Sequence, residues 1–225
     1  MMNDSVWVAL SLSLKVAFFA TVINLIFGVA VGYLLARKNF IGKNLLDSVL
    51  TLPMVLPPTV LGYYLLVLLG RHGTLGAWLY EHLGIQLIFT WQGAVIAAAV
   101  VSFPLVFKPA RAAFESVNNQ YEEAAQVLGM GAWAIFLRVT LPLAWRGILA
   151  GVLLAFARSL GEFGATLMIA GSIPGKTQTL AIAVYEAVQA GQDQLANYLV
   201  LITSILCISV LLSVRYLSNH AFASR

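Results

Sequence analysis

Two ionisable residues stand inside an apolar run where an isolated charge is expensive: Arg158 and Glu162, in the stretch Gly147 to Gly171. Near the centre of a bilayer each alone would cost about 2.5–3.5 kcal/mol. Four positions apart on a helix, they share a face and can pair. Such a pair either locks its helix against its neighbours or lines a path for an ion. With an anionic substrate, Arg158 would supply attraction and Glu162 would keep it weak enough for release. Other candidates for chemistry are few. His72 and His82 lie ten residues apart without a cysteine cluster, which reads as solvated loop histidines rather than a metal site. Cys207 is the single cysteine and allows no intrachain disulfide. No histidine, cysteine or paired-carboxylate cluster supports an enzyme, so no catalytic residue, metal or cofactor is expected. The string Gly171 to Thr177 imitates a phosphate loop, but three residues separate Gly171 from Gly175 where that loop needs four.

The elements that must position the pair are read from composition. The chain has 225 residues, 60% hydrophobic and 10% charged, whereas a soluble domain is about 25% charged. The expectation is an all-α, polytopic membrane protein of one domain, in contact with lipid. Its thirteen Lys and Arg are spread through short loops rather than gathered in a stripe, which argues against nucleic acid. About five spans are expected, at residues 10–36, 49–70, 91–107, 147–171 and 195–214, each near the roughly 20 residues that cross a hydrocarbon core. The second contains Pro53, Pro57, Pro58 and Gly62. These should break it, and a broken helix at membrane depth is tolerated where protein or a water-filled cavity satisfies the freed carbonyls. Pro57, Pro58, Arg158, Glu162 and Gly164 are therefore the candidate translocation-pathway residues. Gly161, Gly164 and Gly171 permit close packing or local unwinding.

Topology follows from the basic residues. Arg37, Lys38, Lys43, Lys108, Arg111, Arg138, Arg146, Arg215 and Arg225 fall on one side of a five-span chain, against Lys15, Arg71 and Lys176 on the other. The expectation is a cytoplasmic C-terminus and an N-terminus outside. No basic segment and no small-residue cleavage site accompany the first span, so it is expected to persist in the mature protein.

Between the third and fourth spans lies a polar island, residues 108–146. Glu115 to Leu128 is rich in Ala, Glu and Gln, and Gly129 and Gly131 interrupt it. This predicts a helix, a bend and a second short helix, Ala132 to Val139, with an apolar knob at Trp133, Ile135, Phe136 and Leu137. The fixed positions are Glu123-Ala124-Ala125, three residues, Gly129, nine residues, then Val139-Thr140-Leu141-Pro142. This resembles the EAA motif of ABC importer permeases, with Val139 in place of Ile as the departure. The resemblance implies a cytoplasmic coupling helix that docks on an ATP-hydrolysing subunit, with Glu123, Ala124, Ala125, Gly129, Trp133, Leu141 and Pro142 as ATPase-coupling residues.

The strings Phe156 to Thr166, Leu52 to Tyr63 and Gly32 to Arg37 are similar to those of permeases for molybdate and closely related oxyanions. That implies a cell inner-membrane permease homodimer importing molybdate or tungstate by alternating access. It also implies two cytoplasmic ATP-binding subunits and a periplasmic oxyanion-binding protein. A sulfate or thiosulfate importer keeps the architecture and changes the cargo. An ion-coupled secondary transporter would show two repeats with paired broken helices, and one proline-broken span is visible.

Overall fold

The computed structural model describes residues 2–223, so Arg225 lies outside it; side chains are described for residues 6–212, which leaves Arg215 outside as well. Helix is the only regular structure among the described residues. Among the described residues, three helices are long and apolar enough to cross a membrane: Val6–Arg37 (within α1, Met2–Arg37), Ala132–Leu160, and Asp193–Leu212 (within α12, Asp193–Ala223). Two bent helix pairs bring the number to five if each is one span.

The two bends have different causes. α2 (Lys43–Val55) and α3 (Pro58–Leu69) meet at 114°. Pro58 forces Pro57 out of helical conformation, to φ −55°, ψ 135°, and Pro58 then starts α3 at the position where a missing N–H does no harm. α5 (Trp91–Ser102) and α6 (Pro104–Ser116) meet at only 43°, because a single proline leaves Phe103 helical at φ −52°, ψ −46°. The helix expected to stop at Phe107 therefore continues to Ser116. It carries Pro109 inside it, packed where a Cβ on Gly151 would lie 3.2 Å from the proline ring.

The run at 147–171 is likewise redistributed. Its helix, α9 (Leu141–Leu160), starts earlier, at Leu141, and ends before Gly161; a short α10 (Gly164–Ala170) follows the break. A loop and α11 (Leu180–Gln189) lead to α12. Earlier in the chain, α4 (Thr74–Leu83) connects α3 to α5.

Small residues set the helix contacts. A Cβ on Gly28 would meet Val106 at 2.9 Å, and one on Gly32 would meet Ala110 and Arg111 at 3.0 Å, so α1 lies directly on α6. Buried Phe114, Ala144 and Ile148 join α6 to α9 beneath Tyr33. Higher up, Asn24 donates to the Ala99 carbonyl at 3.0 Å and to Ser102 Oγ at 2.8 Å, and Ser102 Oγ lies 3.0 Å from Ser159 Oγ. α1, α5 and α9 are thus tied one residue from Arg158.

Candidate functional site

The island between the spans folds as a hairpin. α7 (Asn119–Val127) opens with the Asn118 side chain accepting the Gln120 N–H at 3.0 Å. It closes with Gly129 at φ +81°, the Gly129 N–H bonded to Gln126 O and the Met130 N–H to Ala125 O. That pair of bonds needs a left-handed residue, which is why glycine stands there. The return helix α8 (Ala132–Ile135) does not end at Val139 as expected. It runs through a wide turn, Phe136–Thr140, straight into α9, with the Leu141 N–H reaching back to Phe136 O. Pro142 explains that turn: it lacks an N–H, and its ring excludes the carbonyl four residues earlier, so one turn widens to five-residue bonding. Leu141 and Pro142 thus form the joint between hairpin and α9.

The hairpin's residues divide by face. Glu123, Ala124 and Gly129 are exposed and Ala125 is buried. Val127, Leu128 and Trp133 are 88%, 81% and 77% exposed, an apolar tip beside Glu123. Trp133 and Phe136, expected to act together, diverge. Phe136 turns inward onto Tyr33, with ring centroids 4.8 Å apart, while Trp133 touches it edge-on at 6.0 Å and faces out.

The residue that fastens the hairpin is Glu122. Its Oε1 accepts from Arg37 Nη2 at 2.6 Å and from the buried Thr140 hydroxyl at 2.8 Å. Arg37 also donates to Asn119 Oδ1 at 2.6 Å. One carboxylate therefore joins the end of α1, the start of α7 and the wide turn. A signal was present: Glu122 lies three residues before buried Ala125, on its face, whereas Glu123 shares a face with exposed Val127.

A second ionic cluster ties α2 to α6. Asp47, before the apolar run at 49–70, lies 2.7 Å from Lys108 Nζ and 2.8 Å from Arg111 Nη1, and Arg111 also pairs with Glu115 at 2.7 Å. Burial opposes the charge on Asp47, but the hydrogen bonds and positive charges of Lys108 and Arg111 outweigh it and hold the carboxyl below its ordinary value.

The candidate pathway residues meet at the two helix breaks. Arg158, in the last turn of α9, places Nη1 2.8 Å from Glu162 Oε2. Glu162 Oε1 accepts the Ala165 N–H at 2.9 Å, in the first turn of α10. A Cβ on Gly164 would lie 3.1 Å from Pro58 Cβ and 3.3 Å from Thr59 N, and one on Gly62 would lie 2.9 Å from Ala165 Cα. So Pro58 and Gly164, 106 positions apart, pack together, and the Arg158–Glu162 pair sits one turn away. Pro57 caps α3 beside them. His82 keeps to its own helix, with Nδ1 3.0 Å from Trp78 O.

Residues 28–224 match the family described as binding-protein-dependent transport system inner membrane component. The molybdenum transport system permease protein ModB of Escherichia coli (strain K12) is 48% identical over 214 residues, covering 94% of this chain and 93% of that protein. Its namesake in Haemophilus influenzae is 46% identical over 213 residues, covering 94% and 93%. The sulfate transport system permease protein CysT of Escherichia coli (strain K12) is more distant, at 38% over 187 residues, 83% of this chain and 67% of that one. Among solved structures, a bacterial ABC transporter importing the acidic polysaccharide alginate superposes with a TM-score of 0.73 at 15% identity, covering 97% of this chain and 79% of that one. At that identity the likeness speaks to the fold.

Proposed function

Since the chain belongs to the binding-protein-dependent transport system inner membrane component family, we propose that it is the permease subunit of an ATP-driven importer of molybdate. The observation that carries the cargo is the 48% identity, along nearly the whole chain, to a molybdenum transport permease. Tungstate, with the same charge and tetrahedral shape, is the natural second substrate.

In this reading the chain is one transmembrane domain that crosses the inner membrane five times, with its N-terminus outside and its C-terminus in the cytoplasm. Two copies form the path. Each offers the hairpin 119–140 to a cytoplasmic ATP-binding subunit, and a periplasmic oxyanion-binding protein delivers the ion. The tip formed by Glu123, Val127, Leu128 and Trp133 supports this docking, because apolar side chains so exposed on a polar segment suit a protein groove. Ala124 and Ala125 keep α7 slim, and Gly129 closes it. ATP-driven approach of the partner subunits pulls the hairpins together; the Leu141–Pro142 joint passes the movement into α9, which carries Arg158 in its last turn. Pro57, Pro58 and Gly164 then shape the constriction, and Arg158 meets the anion while Glu162 limits its dwell. The permease itself hydrolyses nothing.

The test is ATP hydrolysis by the permease reconstituted with its ATP-binding subunit and binding protein. Molybdate is expected to stimulate it and sulfate is not. Stimulation by sulfate instead overturns the cargo, and failure of the ATP-binding subunit to associate overturns the docking role of the hairpin.

A further inference from the structure

Glu162 and Arg158 are unequally placed. The carboxylate side chain is 1% exposed, whereas the guanidinium side chain is 36% exposed. Their contact, Nη1 to Oε2 at 2.8 Å, is an ion pair whose alignment falls short of a hydrogen bond, so Oε2 has no hydrogen-bond donor. A buried carboxylate thus depends for its charge balance on a partner that solvent, and an anion, can reach. Its other oxygen grips the first turn of α10 through the Ala165 N–H. That turn bears on the α2–α3 break through Gly164 against Pro58 and Thr59, and through Ala165 and Met168 against Gly62.

An oxyanion carrying two charges competes with Glu162 for the same guanidinium. Once Arg158 turns to the anion, Glu162 is left buried without its cation, which is strongly disfavoured. The carboxylate then follows Arg158 or moves toward water, and because it holds α10, α10 moves with it. Close-packed interfaces of this kind shift between discrete arrangements rather than deform gradually.

We propose that Glu162 is a positioning residue that converts capture of a tetrahedral dianion by Arg158 into a shift of α10 against α3 at the proline break. The inference rests on the reading of Arg158 as part of the ion's path. Glu162 accordingly sets both how tightly the permease holds the ion and how readily the path opens.

The test uses the full permease with its ATP-binding subunit, read out by equilibrium molybdate binding without the binding protein and by uptake with it. In E162Q the amide oxygen still accepts the Ala165 N–H, so the cap on α10 is kept while the competing charge is removed. Molybdate binding is expected to tighten and uptake to slow, each by about tenfold, because ground-state binding has been gained without opening. Wild-type binding and uptake in E162Q, or binding and uptake that fall in step, overturn the inference. If E162Q does not assemble, E162D is read in its place with the same opposed changes at smaller amplitude. R158A separates the two levels: normal uptake by R158A removes Arg158 from the path altogether, whereas failure of R158A beside an unaltered E162Q overturns only the role given to Glu162.

Discussion

Replacing Glu122 by alanine tests whether the hairpin acts as a lever fixed at its base. The side chains of Glu122 and Arg37 are 16% and 15% exposed, and Thr140 is fully buried. A hydrogen bond to a charged group contributes about 1.5–3 kcal/mol, and leaving a buried partner unpaired costs about 1–3 kcal/mol. Glu122 holds two such partners, Arg37 and Thr140, but Arg37 keeps its 2.6 Å bond to Asn119, so the net loss should be about 3 kcal/mol, the upper end of either range, because two partners are lost and one of them is only partly orphaned. That is about a hundredfold shift toward a hairpin detached from α1 and α9. Amide hydrogen exchange in the assembled permease should show it as faster exchange across residues 120–140, with residues 91–102 unchanged. ATP hydrolysis should lose much of its dependence on substrate, because the partner subunits would move a lever no longer attached. E122Q, whose amide oxygen still accepts from Thr140, should lie between. E123A should weaken association of the ATP-binding subunit without changing exchange at the base. Wild-type exchange and coupled uptake in E122A would refute the reasoning, since the base would then be held by something other than this carboxylate.

Three further perturbations follow from the geometry. Gly129 has open space around it but stands at φ +81°; G129V should lose about 1–2 kcal/mol of backbone preference and uncouple ATP hydrolysis from uptake, whereas G129A, lacking the β-branch, should be milder in the same paired assay. At Gly62 a methyl would lie 2.7 Å from Met168 Cβ and 2.9 Å from Ala165 Cα, so G62A should force α3 from α10 at about 1–3 kcal/mol, read as a lower thermal midpoint and reduced uptake. D47N should lower the thermal midpoint at neutral pH by an amount equivalent to about 1 kcal/mol, since the pairs with Lys108 and Arg111 are partly exposed. Because the folded Asp47 carboxyl is held below its ordinary value, its contribution is present above the unfolded carboxyl's pKa and is lost as acidification carries pH through the lowered folded value. The gap between D47N and wild type should therefore close only below the usual carboxylate range; a constant gap across that range would show that the aspartate acts by something other than charge.

The sequence by itself determined what short-range rules govern. Apolar runs broken by no charges other than Lys15, Arg158 and Glu162 required membrane helices. Spacing by four predicted that Arg158 and Glu162 pair on one helix face; the structure pairs them at 2.8 Å, but across a helix end, since α9 stops at Leu160 and Glu162 lies in the break before α10. The Pro57–Pro58 doublet denies the chain both a donor and a helical ψ, so the second run had to break there, and it does, by 114°. Gly129 at the end of an Ala- and Glu-rich stretch required a left-handed stop. The helix ends were less legible. Phe107 and Gly147 looked like span limits because polarity changes there, yet α6 and α9 pass both positions, since each helix continues along its neighbour with Pro109 against Gly151 and Gly147 against Ala113.

What only the tertiary structure decided depends on groups far apart in the chain. Which of two adjacent glutamates holds the hairpin turns on Arg37, 85 residues before Glu122, and on a Thr140 that the widened turn brings round to meet it. Phe136 is drawn inward by Tyr33 and Phe114, so a knob read as one apolar surface splits into a buried anchor and an exposed Trp133. The meeting of Gly164 with Pro58 belongs to the same class. Nothing local relates two breaks in different spans; they come together because glycine at 62 and 164 removes the side chains that would hold α3 and α10 apart. Local spacing fixes where a helix bends and which charges it carries, whereas close packing between distant segments fixes what those bends touch.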